Sequence, residues 1–165
     1  MTDTMTAARR SAHMARIGSG LRKNSIERRV HEVLKGAGVR HKMYPQVRPS
    51  ADVLVPTRRG PLYVMVDGCF WHACPEHYRA PKDPRPSWGH DLVAEERRRQ
   101  WHRSRAPWPW LRIWEHHVRD PLNARDMVLG VVLAAVRRVE AGQARGQVRL
   151  TWADVRESWE GPPWR

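Results

Sequence analysis

Leu62-Tyr63-Val64-Met65-Val66-Asp67-Gly68-Cys69-Phe70-Trp71-His72-Ala73-Cys74-Pro75-Glu76-His77 decides how this chain is read. Its first five residues are apolar without a break, the pattern of a strand buried on both faces near the middle of a sheet. Asp67 stands at the end of that strand. From Gly68 onward the stretch holds both cysteines of the chain, two of its nine histidines and the Phe70-Trp71 pair. Soft metal ligands, a proton carrier and flat aromatic surfaces follow directly on one central strand.

The surroundings supply the rest of a sheet. Ala51-Asp52-Val53-Leu54-Val55 predicts a strand ended by Pro56, and Thr57 to Pro61 a hairpin turn carrying Arg58, Arg59 and Gly60. Pro45 to Ser50 reads as a turn and Val39 to Met43 as a short strand. Before them, Asn24-Ser25-Ile26-Glu27 opens a helix capped by Asn24 or Ser25 and ended by Gly36 and Gly38. Its apolar face is Ile26, Val30, Val33, Leu34 and Ala37. On the other side, Pro75 to Ser87 is a loop rich in proline and charge. Trp88 to about Ser104 reads as a helix with Glu95, Glu96, Arg97, Arg98 and Arg99 toward solvent. Pro107 and Pro109 interrupt before a strand at Trp110-Leu111-Arg112-Ile113-Trp114, which leads into Glu115-His116-His117. Asp120-Pro121 starts a helix whose apolar face is Leu122, Met127, Val128, Val131, Val132, Ala135 and Val136. Gln147 to Leu150 predicts a further strand, and a short helix follows it. The fold class is α/β, with a small mixed sheet flanked by helices. The chain divides into a basic, partly disordered arm at 1–22, one domain at 23–140 and a C-terminal extension at 141–165.

Composition narrows the partners. Thirty Lys and Arg against seventeen Asp and Glu give a net charge of +13, spread along the chain. That excess points to a polyanion, nucleic acid first and an acidic membrane surface second. Arginine greatly outnumbers lysine, which suits bidentate phosphate contacts. Mean hydropathy is −0.71, and no stretch reaches the roughly 18 apolar residues of a membrane helix. The expected location is the cytoplasm, associated with the nucleoid. In such a reducing compartment the two cysteines read as thiolate ligands or free thiols rather than a disulfide.

Three kinds of chemistry are written into the central stretch. Cys69-x4-Cys74-x2-His77 offers three ligands for tetrahedral zinc, with His116 or His117 as the fourth. Strand alternation puts those two histidines on opposite faces, so one reaches the ion. His72 is another candidate fourth ligand. With four protein ligands the zinc would be structural. Asp52 and Asp67 lie on neighbouring strands, where paired acids can hold Mg²⁺ that neutralises a phosphate and generates hydroxide. His72 would then serve as general acid or base. Glu27, in the first turn of its helix, is accounted for by the helix dipole as well as by a site role. Phe70-Trp71 is either core packing or, on a stiff loop, a wedge between base pairs.

The run from Asp67 to His77 resembles the signature of the very short patch repair endonucleases. So do Trp114-Glu115-His116, Ala51-Asp52-Val53, Ser25-Ile26-Glu27 and the Arg10-Ser11-x-x-Met14 start, over roughly Arg10 to Val136. The resemblance implies a restriction-endonuclease-like core with a zinc-stabilised loop, so that 23–140 is an endonuclease domain. It implies Mg²⁺-dependent nicking of double-stranded DNA 5′ of the thymine in a T·G mispair, the product of 5-methylcytosine deamination. Mismatch-repair proteins and a cytosine-5 DNA methyltransferase system are the implied companions. By motif position Asp52 resembles the central Mg²⁺-binding catalytic acid, His72 the catalytic histidine and Glu27 the supporting acid of the first helix. Asp67 is the second Mg²⁺ candidate, standing with Val66 where some members carry Thr-His. Cys69, Cys74, His77 and His116 fall on the zinc positions. Phe70 and Trp71, with Trp88, resemble the intercalating aromatics. Two neighbouring activities share these features: a nickase of the same fold acting in phage defence on modified DNA, and a catalytically weak DNA-binding relative.

Overall fold

A computed structural model describes residues 25–80, 91–119, 123–144 and 146–150. The expected arm at 1–22, Trp88 and the expected C-terminal helix lie outside these residues. In chain order the elements are α1 (Ser25–Gly36), β1 (Lys42–Met43), β2 (Val53–Thr57), β3 (Gly60–Asp67), α2 (Leu92–Ser104), β4 (Trp110–Trp114), α3 (Glu115–Arg119) and α4 (Ala124–Glu140). The sheet order is β1-β2-β3-β4, antiparallel up to β3 and parallel between β3 and β4. This is the mixed α/β architecture expected, with the Leu62–Val66 run at its centre.

Period-two alternation along β3 and β4 builds the two sides of the sheet. Leu62, Val64 and Val66 of β3 and Leu111 and Ile113 of β4 join Val53 and Val55 on one face. Against that face pack Ile26, Val30 and Leu34 of α1 and Val128, Val132 and Ala135 of α4. Most of these residues are 0–3% exposed, and each contributes about 1.5–3 kcal/mol by leaving water. The intervening residues face the other way. Met65 and Trp110 form a second, smaller cluster with Ala106, covered by Tyr63 and Trp108. Asp67 and Arg112 share the parity of Met65 and Trp110, so the sheet delivers an acid and a base to the side opposite the large core.

Several boundaries differ from expectation for local reasons. The strand after the Pro45–Ser50 turn runs through Pro56 instead of ending there. Pro56 stands opposite Pro61 and beyond the reach of β1, so no neighbouring strand needs its missing N–H. The Val39–Met43 strand shrinks to two residues. The second helix begins at Leu92, with the Asp91 carboxylate accepting from the N–H groups of Val93 and Ala94 at 3.0 and 3.1 Å. The strand expected at Gln147–Leu150 is a single parallel bridge from Gln147 to Trp110. Glu115–Arg119 is helical, so His116 and His117 diverge by helical rotation and not by strand alternation.

Candidate active site and metal centre

The turn after β3 separates two sets of side chains. Asp67 ends the strand, and Gly68 to Tyr78 coil tightly, with Cys74 N–H donating to Cys69 O at 2.9 Å. Ala73 takes a left-handed conformation, φ 47°, a strained geometry for a residue with a Cβ. It lies between His72 and Cys74 and turns them to different neighbours. Cys74 is almost fully buried on one side, and His72 reaches back toward the sheet.

On the Cys74 side, ligand atoms of Cys69, Cys74, His77 and His116 lie within 4.8 Å of one another. Cys69 Sγ is 3.3 Å and Cys74 Sγ 3.7 Å from His116 Nδ1, and Cys74 Sγ is 3.8 Å from His77 Nδ1. Tetrahedral zinc, with Zn–S of about 2.3 Å and Zn–N of about 2.05 Å, spaces sulfur and nitrogen about 3.6 Å apart. The donor set therefore fits such an ion in type and spacing. Burial pushes the Cys69 thiol up to about 11, a penalty on the thiolate that a bound cation offsets. His116 is lowered, first by burial and then by His77, toward the neutral form that ligates. His117 points elsewhere: its Nδ1 accepts from Trp114 N–H at 3.3 Å. Glu115 braces the loop, its Oε2 accepting from Cys69 N–H at 2.9 Å.

On the other side, Asp67 meets three groups, and two of them, His72 and Arg112, also lie closest to Glu96. Arg103 Nη1 donates to its Oδ2 at 2.8 Å and Arg112 Nε to the same oxygen at 2.6 Å. His72 Nε2 lies 3.3 Å from Oδ1, and His72 Nδ1 lies 3.0 Å from Glu96 Oε2. Arg112 also holds Glu96 Oε1 through a short contact from Nη2. Two carboxylates and two guanidiniums thus balance around one imidazole. Burial would raise both acids, but their cationic partners outweigh it. Asp67 is held below the usual carboxylate range by Arg103, His72 and Arg112, and Glu96 falls to about 2 through His72 and Arg112. Asp67 is expected to share a magnesium ion with Asp52; its oxygens meet Arg103, Arg112 and His72, and with His72 and Glu96 it forms a second group whose possible ligand atoms lie within 4.8 Å of one another.

Asp52 is differently placed. Its Oδ2 accepts from Val66 N–H at 2.7 Å, and among the described residues it forms no ion pair. Burial pushes its carboxyl up to about 7, the Val66 bond opposing and Glu27 and Asp67 adding to the rise. Glu27 is 8% exposed and accepts from the Tyr44 hydroxyl at 2.7 Å. A partly buried acid near other acids, without an ion pair among the described residues, fits the first ligand of a hard divalent ion. An open cavity of about 620 Å³, lined by Tyr44 to Asp52, gives access to it.

The aromatics of the loop differ in exposure. Trp71 is 56% exposed, whereas Phe70 is half-buried between Trp71 and Tyr78, at ring-centre distances of 5.2 and 5.9 Å. Of the residues singled out in the sequence, Cys69, Cys74, His77 and His116 are brought together, whereas Glu96, Arg103 and Arg112 were not singled out. Glu96 was expected in solvent but is 5% exposed. The clue available was an acid seven residues before an arginine on one helix, hence on one face.

A family model described as "DNA mismatch endonuclease Vsr" matches residues 2–77. Over those residues, fewer than half of the chain, the sequence is similar to the Vsr family. It is also 34% identical, over 89 residues, to the "Type II nicking enzyme V.NaeI" of Lentzea aerocolonigenes. That match covers 52% of this chain and 49% of the relative, so the chain matches about half the length of the curated protein. No solved structure matches. The Vsr match ends at His77, so three of the four zinc-type donors lie within it, and Glu96, Arg103, Arg112 and His116 lie beyond.

Proposed function

We propose that this protein is a Mg²⁺-dependent endonuclease that nicks duplex DNA on the 5′ side of thymine in a T·G mispair. The observation that supports this reading is the presence, at adjoining strand ends, of a partly buried Asp52 that has no ion pair among the described residues and of His72 held between Asp67 and Glu96. The Vsr match and the nicking-enzyme relative support the DNA substrate, and the net charge of +13 supports the polyanion.

When bound, magnesium supplies charge neutralisation at the scissile phosphate and a more acidic water. Asp52 holds the ligand position, and Glu27 with Tyr44 keeps a second acid beside it. Both His72 nitrogens face carboxylate oxygens, Nε2 toward Asp67 at 3.3 Å and Nδ1 toward Glu96 at 3.0 Å. Asp67 is already satisfied by Arg103 and Arg112. The longer Asp67 contact is the one released when DNA arrives, and Nε2 becomes the atom that moves a proton while Glu96 orients Nδ1. Zinc on Cys69, Cys74, His77 and His116 stiffens the loop. Trp71 then enters the base stack, braced by Phe70.

The test is a nicking assay on a T·G duplex with magnesium, beside a matched duplex and the Asp52→Asn variant. Nicking confined to the T·G strand and abolished in the variant is expected. Equal cutting of matched DNA would favour the phage-defence type of nickase, to which the relative's name lends some support. Tight binding without cutting would leave only a DNA-binding relative.

A further inference from the structure

Helix α2 has two charged faces. Glu96 and Arg103 point inward to the His72 network, 5% and 8% exposed. Half a turn away, Arg97, Arg98, Trp101 and Arg105 are exposed together. Trp101 is 53% exposed even though the Arg105 guanidinium lies 3.5 Å from its ring centre. Trp110 of the same domain is 2% exposed, so Trp101 stands apart as an open ring, edged by His102 at 4.9 Å between ring centres. Arg98 pairs with Glu95 at 2.6 Å, but no carboxylate pairs with Arg97 or Arg105 among the described residues. The face is therefore cationic and aromatic at once.

We infer that Trp101 and Arg105 form a stacking platform for an unpaired base of single-stranded DNA, with Arg97 contacting its backbone. An aromatic ring backed by a guanidinium stacks on any base, and free cations follow the phosphates. Bases inside an intact duplex are already stacked on each other, so the platform selects strand that has come unpaired. This rests on DNA being the substrate. The surface lies across a helix, about 10 Å wide, from the site network. That distance suits a strand displaced or frayed beside the nick, apart from the bases that Trp71 would wedge.

The experiment is fluorescence anisotropy of a short labelled oligothymidylate and of a matched duplex, without magnesium, using the full chain. Trp101→Ala should weaken oligothymidylate binding about five- to a hundredfold, with Trp101→Tyr restoring most of it and duplex binding changing less than about twofold. Arg105→Gln should weaken it in the same selective way. Unchanged oligothymidylate binding in Trp101→Ala overturns the inference. Equal loss on both DNAs also overturns it and marks a plain phosphate contact. Trp101 is exposed, so thermal unfolding of the variants should match wild type and keep the comparison valid. Failure to nick T·G DNA with this binding intact would sink the proposed reaction and leave the platform standing.

Discussion

Glu96 Oε2 lies 3.0 Å from His72 Nδ1, joining a helix residue to a loop residue that precedes it by 24 positions. The contact fixes the ring through the nitrogen that does not face the strand. Glu96→Gln keeps the shape of that side chain and removes its charge. Single-turnover nicking should fall about 10–100-fold, the usual loss when the group orienting a functional histidine is altered. Substrate affinity should change little, because Glu96 is buried and touches no DNA in the proposed arrangement. Parallel losses in rate and affinity would count against a positioning role.

Asp67 tests the balance of buried charge. Asp67→Asn leaves Arg103 and Arg112 partly unpaired in a site less than 10% exposed. Breaking such a network costs about 3–5 kcal/mol, a fall in Tm of roughly 6–20 °C for a chain of this size. If Tm stays within a degree or so of wild type, the network is not structural.

Acid should unfold the protein through the same groups. Glu96 has a folded-state value of about 2 against an ordinary 4.5, and Asp67 is also lowered. A lowered carboxyl contributes stability that is complete above its unfolded value and disappears as pH falls toward its folded one. In an Asp52→Asn background, which removes the opposite slope of that group, unfolding free energy should therefore hold level above about pH 5 and decline between about 4.5 and 2. The decline should be shallower in Glu96→Gln, as measured by urea titration across that range.

Asp52 predicts the opposite slope. Its folded-state carboxyl is raised to about 7, so its contribution to stability is complete below 3.8 and is lost as pH climbs through about 7. In the proposed reaction, magnesium would compete with the proton on that group. At subsaturating magnesium, nicking should rise about tenfold per pH unit below 7 and level off above it. The magnesium-induced rise in Tm should be larger at about pH 8 than at about pH 6, and absent in Asp52→Asn. A magnesium effect independent of pH would place the ion elsewhere.

Zinc should be present at one ion per chain by elemental analysis of the purified protein. Cys74→Ser should lose it and lower Tm, because structural zinc binding is part of the folding free energy. Retention of the ion in that variant would point to a different donor set.

Much of this was legible in the residues. The unbroken apolar run of β3 identified the central strand, and the spacing of Cys69, Cys74 and His77 placed three donors in one loop. The inward face of α2 was not legible, because that helix has no apolar stripe to set its phase. Glu96 and Arg103 are buried by pairing with Arg112 and Asp67, and charge pairing leaves no periodic trace in hydrophobicity. A five-residue helix such as α3 is too short to show a period either. The two histidines it carries were separated correctly in direction but for the wrong geometrical reason.

Cys69 and His116 are 47 residues apart, yet their ligand atoms lie 3.3 Å from each other. An ion held by both turns the intervening chain into a closed ring fastened at the ends of two adjacent parallel strands. Once a ring is closed, its length matters little: doubling it costs only about 0.6 kcal/mol. Between His77 and Trp110 the chain can thus change length on either side of α2 while the clasp keeps His72 at its station, provided Glu96 and Arg103 still reach His72 and Asp67. Those connections, and not the helix between them, are where this architecture can diversify without rebuilding its chemistry.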